Sequence, residues 1–550
     1  MTSDKSENIV LIPSAKFIPE NLQESFGKIP SCLMPVSGIP VIHFLIKAYI
    51  RNNYRVVIIG KQGIHLIRNL LNGIYEKVEI IELDEIGDLG YTVGFGLEYA
   101  LKQYKSIKGI TVNFADTLLE DMTPVFNTTD SLFYSYVYES VRWTVFDFQE
   151  KKITWLSDKK ELEGSSFKGI IGLFNFSDAH VLLDCFRRTD FSKESNSFYD
   201  ALLEYNQIQG IQFVHVEDWQ DVGHKDKYLN TKKELQARYF NSISIDEARG
   251  ILTKKSMNKE KFRNEIYWYL KLPSGLKYSA PSIYTYSLDY GAMSVSMEYY
   301  GYTTLNELFV YGNLNRHTWE DILKKIFFIT EDFKGYAING QALKKQEALD
   351  NMYRKKTVER LNQLKENKLF NRFFSGDIHI NESVYPSLEA IIENLENYIS
   401  LMELDVDPFF TIIHGDFGFS NILYDVNSGI VRLIDPRGSF GEFDIYGDSR
   451  YDLAKLSHSI NSKYDFIIND LFYVDTKLNG INYKIRTTEN SELVGPLFRN
   501  YFSEKEYRKI RFIESLLFLS MPPLHADYPD RQIVMLATGI ELLHNIINHS

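Results

Sequence analysis

His414-Gly415-Asp416-Phe417-Gly418-Phe419-Ser420-Asn421, followed by ILYDVNSGIVRLI and then Asp435-Pro436-Arg437-Gly438, carries the strongest fold signal in the C-terminal half. Residues 409–413 (FFTII) precede it as a short apolar run, with the length and composition of a buried strand. Residues 422–424 and 430–434 read as two further strands joined at Asn427-Ser428-Gly429, residue types that suit a tight turn. Asp416, Asn421 and Asp435 therefore stand where strands end, on loops that a sheet can hold still. A carboxylate at such a place can accept or orient a hydroxyl proton. An amide oxygen and a second carboxylate nearby are hard oxygen donors of the kind that magnesium takes alongside phosphate oxygens.

Beyond this stretch, the chain of 550 residues is too long for one hydrophobic core, and two or more domains are expected. The first 238 residues alternate short apolar runs with helical patterns. Strands are predicted at 8–12, 55–60, 78–83 and 109–115, and helices at 41–51, 64–74 and 92–103. That alternation predicts an α/β domain with a mainly parallel sheet covered on both faces. Residues 130–176 (SLFYSYVYES, WTVFDFQ, KITWLS, KGIIGLFNF) read instead as antiparallel strands. A second domain is expected from 239 to 550, α+β in class, with a small strand-rich lobe to about 302 and a helical lobe from 303. Its lysine- and glutamate-rich helices, QALKKQEALDNMYRKKTVERLNQLKENK, read as solvated surface, with no apolar heptad sustained long enough for a coiled coil. Lys356 and Arg360 share a helix face there that could meet a phosphate.

Composition bounds the partners. The net charge of −12 excludes non-specific nucleic-acid binding, which calls for a basic stripe. Two cysteines, Cys32 and Cys185, exclude a disulfide framework and fit a reducing compartment. No run reaches the roughly 18–20 apolar residues that span a bilayer, and the N-terminus lacks the pattern of a signal peptide. The expectation is a cytoplasmic protein without membrane insertion, acting on a small molecule, with homo-oligomerisation left open.

HGDFGFSN followed by IDPRG resembles the aminoglycoside phosphotransferase and choline kinase family, which carries His-Gly-Asp where protein kinases carry His-Arg-Asp. The resemblance implies a bilobal, protein-kinase-like fold and phosphoryl transfer from ATP with Mg²⁺. By it, Asp416 is the catalytic base, and Asn421 and Asp435 are the magnesium ligands. His414 braces the loop, and Asp452 in GDSRYDLAKLSHS bonds the catalytic loop or caps a helix. In the small lobe, Lys254 or its neighbour Lys255 would pair with Glu265 to hold the nucleotide phosphates; strand alternation sends the two lysines to opposite faces, and the phase is not fixed. No glycine-rich phosphate loop is visible; Ser242 and Ser244 occupy its place. Glu298 and Tyr299, in SMEYYG, would lie in the hinge that meets adenine through its backbone. Asp527, in the loop SMPPLHADYPDRQ, is a candidate for holding an acceptor amine or hydroxyl.

The N-terminal domain resembles the sugar-nucleotide pyrophosphorylase and cytidylyltransferase family, on LMPVSGIPVIHFLI, VNFADT, WQDVGHKDKYL and GIIGLFNF. The resemblance implies a Rossmann-like mixed sheet, a second nucleoside triphosphate (CTP or another), and metal binding by Asp116 and Asp221. Gly172 would face a sugar, and Gly90-Tyr91-Thr92 a nucleotide. Two departures stand out. The first strand runs into Pro13-Ser14-Ala15-Lys16, which lacks the family's glycines, and Ser31 and Ile39 replace two of its lysines. Two readings follow: a nucleotidyltransferase coupled to the kinase in surface-polysaccharide biosynthesis, or a degenerate domain kept for binding or scaffolding.

Overall fold

The structure, a computed structural model, describes residues 7–36, 38–189, 196–225, 227–228, 243–256, 258–404, 406, 409–476 and 480–548. The chain divides into two compact units, Met1–Leu235 and Gln236–Ser550. The expected boundary near 238 and the expected loop residue Ser242 lie outside the described residues.

The first unit is α/β. Its sheet has nine strands; one run of neighbours is Lys152–Asp158, Thr144–Gln149, Phe167–Phe176, Ile107–Asn113, Glu7–Ser14, Tyr54–Gly60 and Val78–Glu82. The last four are mutually parallel, and Phe167–Phe176 joins Ile107–Asn113 antiparallel, so the sheet is mixed. Both faces of the first strand are buried, and Ile9, Val10, Leu11 and Ile12 are each 0% exposed. Odd-numbered residues such as Ile9, Leu11, Val57 and Ile59 share a core with Val93, Leu97 and Ala100 of the helix Leu89–Gln103. The helix Val41–Arg51 packs on Tyr54–Gly60. Each fully buried Ile, Leu or Val contributes about 1.5–3 kcal/mol relative to exposure, so this apolar strand sets the topology.

The second unit opens with a four-stranded antiparallel sheet in the order Ile243–Asp246, Ile251–Lys255, Ser294–Glu298, Ile283–Ser287. The helix Lys259–Lys271 starts at Asn258, whose side chain accepts from the Lys261 amide, and buries Phe262, Glu265, Ile266, Trp268 and Tyr269. Ser244 is not in a loop. It pairs with Thr253 in the ladder, because the turn lies further on, at residues 247–250.

A helical region follows, with a hairpin set into it, Ile378–Ile380 against Ser383–Tyr385, which the sequence pattern does not separate from its helical surroundings. The helix Ala342–Leu349 runs through a π-helical turn, Asp350–Lys355, into Lys356–Lys365. This segment is not simply solvated surface: Lys345, Leu349, Tyr353, Thr357, Leu361 and Leu364 are all buried. The helix Glu504–Ser520 packs against both Ser449–Ile460 and Pro529–Asn548. Its buried Glu514 is held by Arg511 and the hydroxyls of Ser457 and Ser462. Among the described residues, no helix is long and apolar enough to cross a membrane.

Candidate functional site

In the second unit, strand Phe410–Ile412 delivers the chain to His414, and hairpin strands Ile422–Asp425 and Ile430–Leu433 deliver it to Asp435. The loop between them is pinned from several sides. Asp452 accepts the His414 amide at 2.6 Å and the Gly415 amide at 2.7 Å. The His414 ring contacts the Ile434 carbonyl at 3.0 Å through Nε2 and the Asp416 amide at 3.3 Å through Nδ1, the pattern of a neutral imidazole. Burial pulls its pKa down to about 4. His414 therefore braces the loop. Gly415 has φ of +79°, and a Cβ there would lie 2.8 Å from that of Arg437, so this corner calls for glycine.

Asn421 turns its amide nitrogen to the Asp416 carbonyl (2.8 Å) and carboxylate (3.0 Å), leaving its amide oxygen as an acceptor. Asp435 sits in the left-handed region at φ 56°, a conformation that costs a non-glycine residue about 1 kcal/mol or more and here turns its carboxylate out of the hairpin. Its side chain is 52% exposed and accepts from the Lys254 ammonium at 2.8 Å. Lys254 also pairs with Glu265 at 2.8 Å. Lys254, Glu265 and Asp435 are thus one network, while Lys255 is exposed at the strand end. Burial pulls the Lys254 ammonium down, but the carboxylates of Asp435 and Glu265 outweigh it and hold it above the usual lysine range. Burial, and then the charge of Asp435, push Glu265 up to about 7.

Asp416 has a second neighbour that the sequence pattern does not single out. Lys455, from the helix Ser449–Ile460, reaches its carboxylate at 2.9 Å. The protein packed around Asp416 would raise its pKa, and Lys455 overrides this and brings it down to about 2. Arg437 and Lys356 lie close by, donating to the Tyr451 hydroxyl at 3.1 and 3.5 Å. Burial alone would raise the Tyr451 hydroxyl; Lys356, Arg437 and Lys455, in that order, outweigh it and bring it to about 8. Lys356 belongs to the cluster, whereas Arg360, one turn on, bonds Gln363. Sequence distance hides the cluster, since its members come from three separate segments.

Three expected residues stand differently. Asp527 is exposed in the turn between Pro522–His525 and Pro529–Asn548, away from the bonds that tie the cluster together. It is His525 in that loop that feels the charge of Lys455. The amides of Glu298 and Tyr299 donate to the carbonyls of Ser282 and Gly250, both at 2.9 Å, because the sheet continues to this point. Any contact with adenine at this position would use carbonyls or the backbone that follows.

In the first unit, Asp116 and Asp221 are brought together at the antiparallel pair Thr117–Leu119 and Trp219–Asp221. Asn113 fixes the turn, bonding the carbonyls of Phe114 (2.8 Å) and Thr117 (3.2 Å) while accepting from Tyr49 (2.8 Å). Asp221 accepts from the Gly223 amide at 2.9 Å and contacts His224 Nδ1 at 2.6 Å. Burial, and then the charge of Asp221, raise Asp116 to about 6. Gly223 lies against it, and a Cβ there would be 2.4 Å from Asp116 Oδ2. Ser31 Oγ lies 3.4 Å from Ser14 Oγ, so hydroxyls occupy the place of the expected lysine. Thr92 donates to the Asp88 carbonyl and Gly90 packs flush on Ser197, so helix packing accounts for both.

Among the described residues no three His, Cys, Asp or Glu side chains gather in a metal-binding arrangement.

No protein-family profile matches this chain, and no curated protein does. Several solved structures resemble its N-terminal two-fifths. CTP:phosphocholine cytidylyltransferase (LicC) from Streptococcus pneumoniae aligns at 14% identity and TM-score 0.34, over 42% of this chain and 99% of its own. A putative glucose-1-phosphate thymidylyltransferase from Bacillus anthracis aligns at 14% and 0.35, over 42% and 94%. HddC from Yersinia pseudotuberculosis aligns at 18% and 0.31, over 42% and 99%.

Proposed function

We propose that the second unit transfers the γ-phosphoryl group of ATP to a hydroxyl of a small molecule. The observation that carries this is the pair of ion networks at the two ends of one hairpin: Lys254 between Glu265 and Asp435, and Asp416 between Asn421 and Lys455. In this reading Lys254 holds nucleotide phosphates. Asp435 and the Asn421 amide oxygen would hold magnesium, which neutralises phosphate charge when bound. Asp416, 47% exposed, orients the acceptor hydroxyl and takes its proton as the oxygen–phosphorus bond forms. The bond from the γ-phosphorus to the bridging oxygen breaks, and ADP leaves. With a pKa of about 2, Asp416 is ionised at any physiological pH and takes that proton late, as suits a loose transition state.

For the first unit, Asp116 and Asp221 could together hold a magnesium ion beside a triphosphate, and nucleotidyl transfer onto the phosphorylated product would give the chain two consecutive steps in surface-polysaccharide biosynthesis. A specific observation favours the second reading, a binding or scaffolding role. Where the resembling family has its charge-neutralising lysine, the Ser31 and Ser14 hydroxyls face each other, and Lys16 is exposed. The test is a metabolite pool incubated with ATP and Mg²⁺ and read by mass spectrometry for the gain of one phosphate, then with CTP, UTP, GTP or dTTP for pyrophosphate release. Phosphorylation that disappears in Asp416→Asn supports the kinase reading. Absence of any phosphorylated product from the wild-type chain would overturn it, and pyrophosphate release would overturn the binding-only reading of the first unit.

A further inference from the structure

The two networks around Asp416 have opposite charge balance. On one side a single cation, Lys254, faces two carboxylates, Glu265 and Asp435, which suits a metal–nucleotide complex. On the other side Lys356, Arg437 and Lys455 converge on Tyr451, and among the described residues neither Lys356 nor Arg437 forms an ion pair. Only Lys455 has a carboxylate partner, Asp416. Buried Asp452 is committed to the His414 and Gly415 amides, and buried Asp465 faces the charge of Lys455, so the excess of cations rests on Lys356 and Arg437. His458 and His525 add no negative charge, and burial holds both toward neutrality.

Mostly covered cations without counter-charges are costly, because desolvation is not repaid by pairing. Lys356 has no carboxylate partner among the described residues; burial pulls its ammonium down, Tyr451 offsets this in part, and Arg437 and Lys455 add to the lowering. Such an arrangement is a binding site for an anion, in which a guanidinium fork and two ammonium groups supply charge-assisted hydrogen bonds. Its position beside Asp416, joined to it through Lys455, is where the hydroxyl-bearing substrate must lie.

We propose that the acceptor phosphorylated at Asp416 is itself an anion, a hydroxyl compound that also carries a phosphate or carboxylate group, and that Lys356, Arg437 and Lys455 hold that group. This rests on the phosphotransferase reading of the same site and narrows it. A choline-like cation is disfavoured, since it would add positive charge to an uncompensated cluster. The transfer itself is unchanged: the acceptor oxygen loses its proton to Asp416, bonds the γ-phosphorus, and ADP departs.

The test is calorimetric and needs no turnover. The full chain is saturated with Mg²⁺ and a non-hydrolysable ATP analogue, which fills the γ-phosphate position, and then titrated separately with inorganic phosphate, acetate and tetramethylammonium. The expected result is binding of phosphate or acetate, the stronger of the two naming the group, and none of tetramethylammonium. Lys356→Met should weaken anion binding at least about tenfold while changing analogue affinity less than about twofold. Arg437→Gln should weaken the anion similarly, and Arg360→Gln should leave it unchanged. Should Lys356→Met fold poorly, Arg437→Gln carries the test alone. Binding of tetramethylammonium in preference to the anions, no anion binding, or equal loss of analogue and anion in the lysine variant would overturn the proposal; the last would assign the cluster to the ATP phosphates. Failure of the underlying kinase reading shows separately, as absence of phosphoryl transfer in the metabolite screen.

Discussion

Both units set acidic residues where strands end, yet the two settings act on them in opposite directions. Asp416 in the second unit is brought down to about 2, because Lys455 outweighs the packing around it. Asp116 in the first unit is pushed up to about 6 by burial and by Asp221. The carboxylates are alike; the local supply of cations differs. One unit sets Lys455 directly against its acid, with Arg437 adding to it. The other has only His224 and Lys159 acting on its acid, and burial and Asp221 outweigh them.

The largest effect is expected where a single cation of the second unit holds two carboxylates together. Lys254→Met leaves Glu265 and Asp435 without their shared partner. It should lower kcat/KM for ATP by about 10²–10³, the usual cost of removing one preorganised charge from a polar site. A drop of less than about fivefold would mean that Lys254 is a structural ion pair only.

A smaller effect should appear as stability in the first unit. The folded pKa of Asp116 is raised, so the native state binds its proton more tightly than the unfolded chain. Its contribution is therefore unfavourable at neutral pH and is relieved as the pH falls through about 6. Asp116→Asn should raise the stability of that unit by about 3 kcal/mol at pH 7.5 and by much less near pH 4, as read by urea unfolding. Equal effects at both pH values would place the change in packing rather than charge. Protection of the wild-type unit by Mg²⁺, absent in the variant, would show that an added cation makes good what the first unit lacks.

The most delicate prediction concerns Tyr451. Of the 36 tyrosines, one should ionise near pH 8 by tyrosinate absorbance, and Tyr451→Phe should remove that step. Because the folded pKa is depressed, the stabilisation it brings is full only above the unfolded value of about 10 and is lost as pH falls through about 8. An unchanged titration would mean that the three cations do not converge as placed.

Legibility in the sequence follows the range of the interaction. Strand-end carboxylates are readable because strand, turn and spacing are local properties, and the bonds from Asp452 to the His414 and Gly415 amides match one of the two roles the resemblance implies for it. The choice between Lys254 and Lys255 is not readable, since alternation gives opposite faces but not which face meets Glu265. Lys455 and Arg437 raise no signal, because their meaning arises only when the helix Ser449–Ile460 and the loop after Asp435 are packed together. Lys356 stands out for its charge on what reads as a solvated face, yet Tyr451 and the helix packing draw it inward. Asp527 reads as an acid in a functional loop, and the fold leaves it exposed. Gly90 and Thr92 match a nucleotide motif, but Ser197 and Asp88 take up both residues in the folded domain.

The decisive measurement compares Asp416→Asn with Asp116→Asn, in the full chain, on whichever compound the metabolite screen shows gaining a phosphate. Loss of at least about a hundredfold in kcat is predicted for Asp416→Asn, the lower range of a general-base contribution, with no change in the same step for Asp116→Asn. Near-normal phosphorylation by a folded Asp416→Asn protein would contradict the role of Asp416 as the general base.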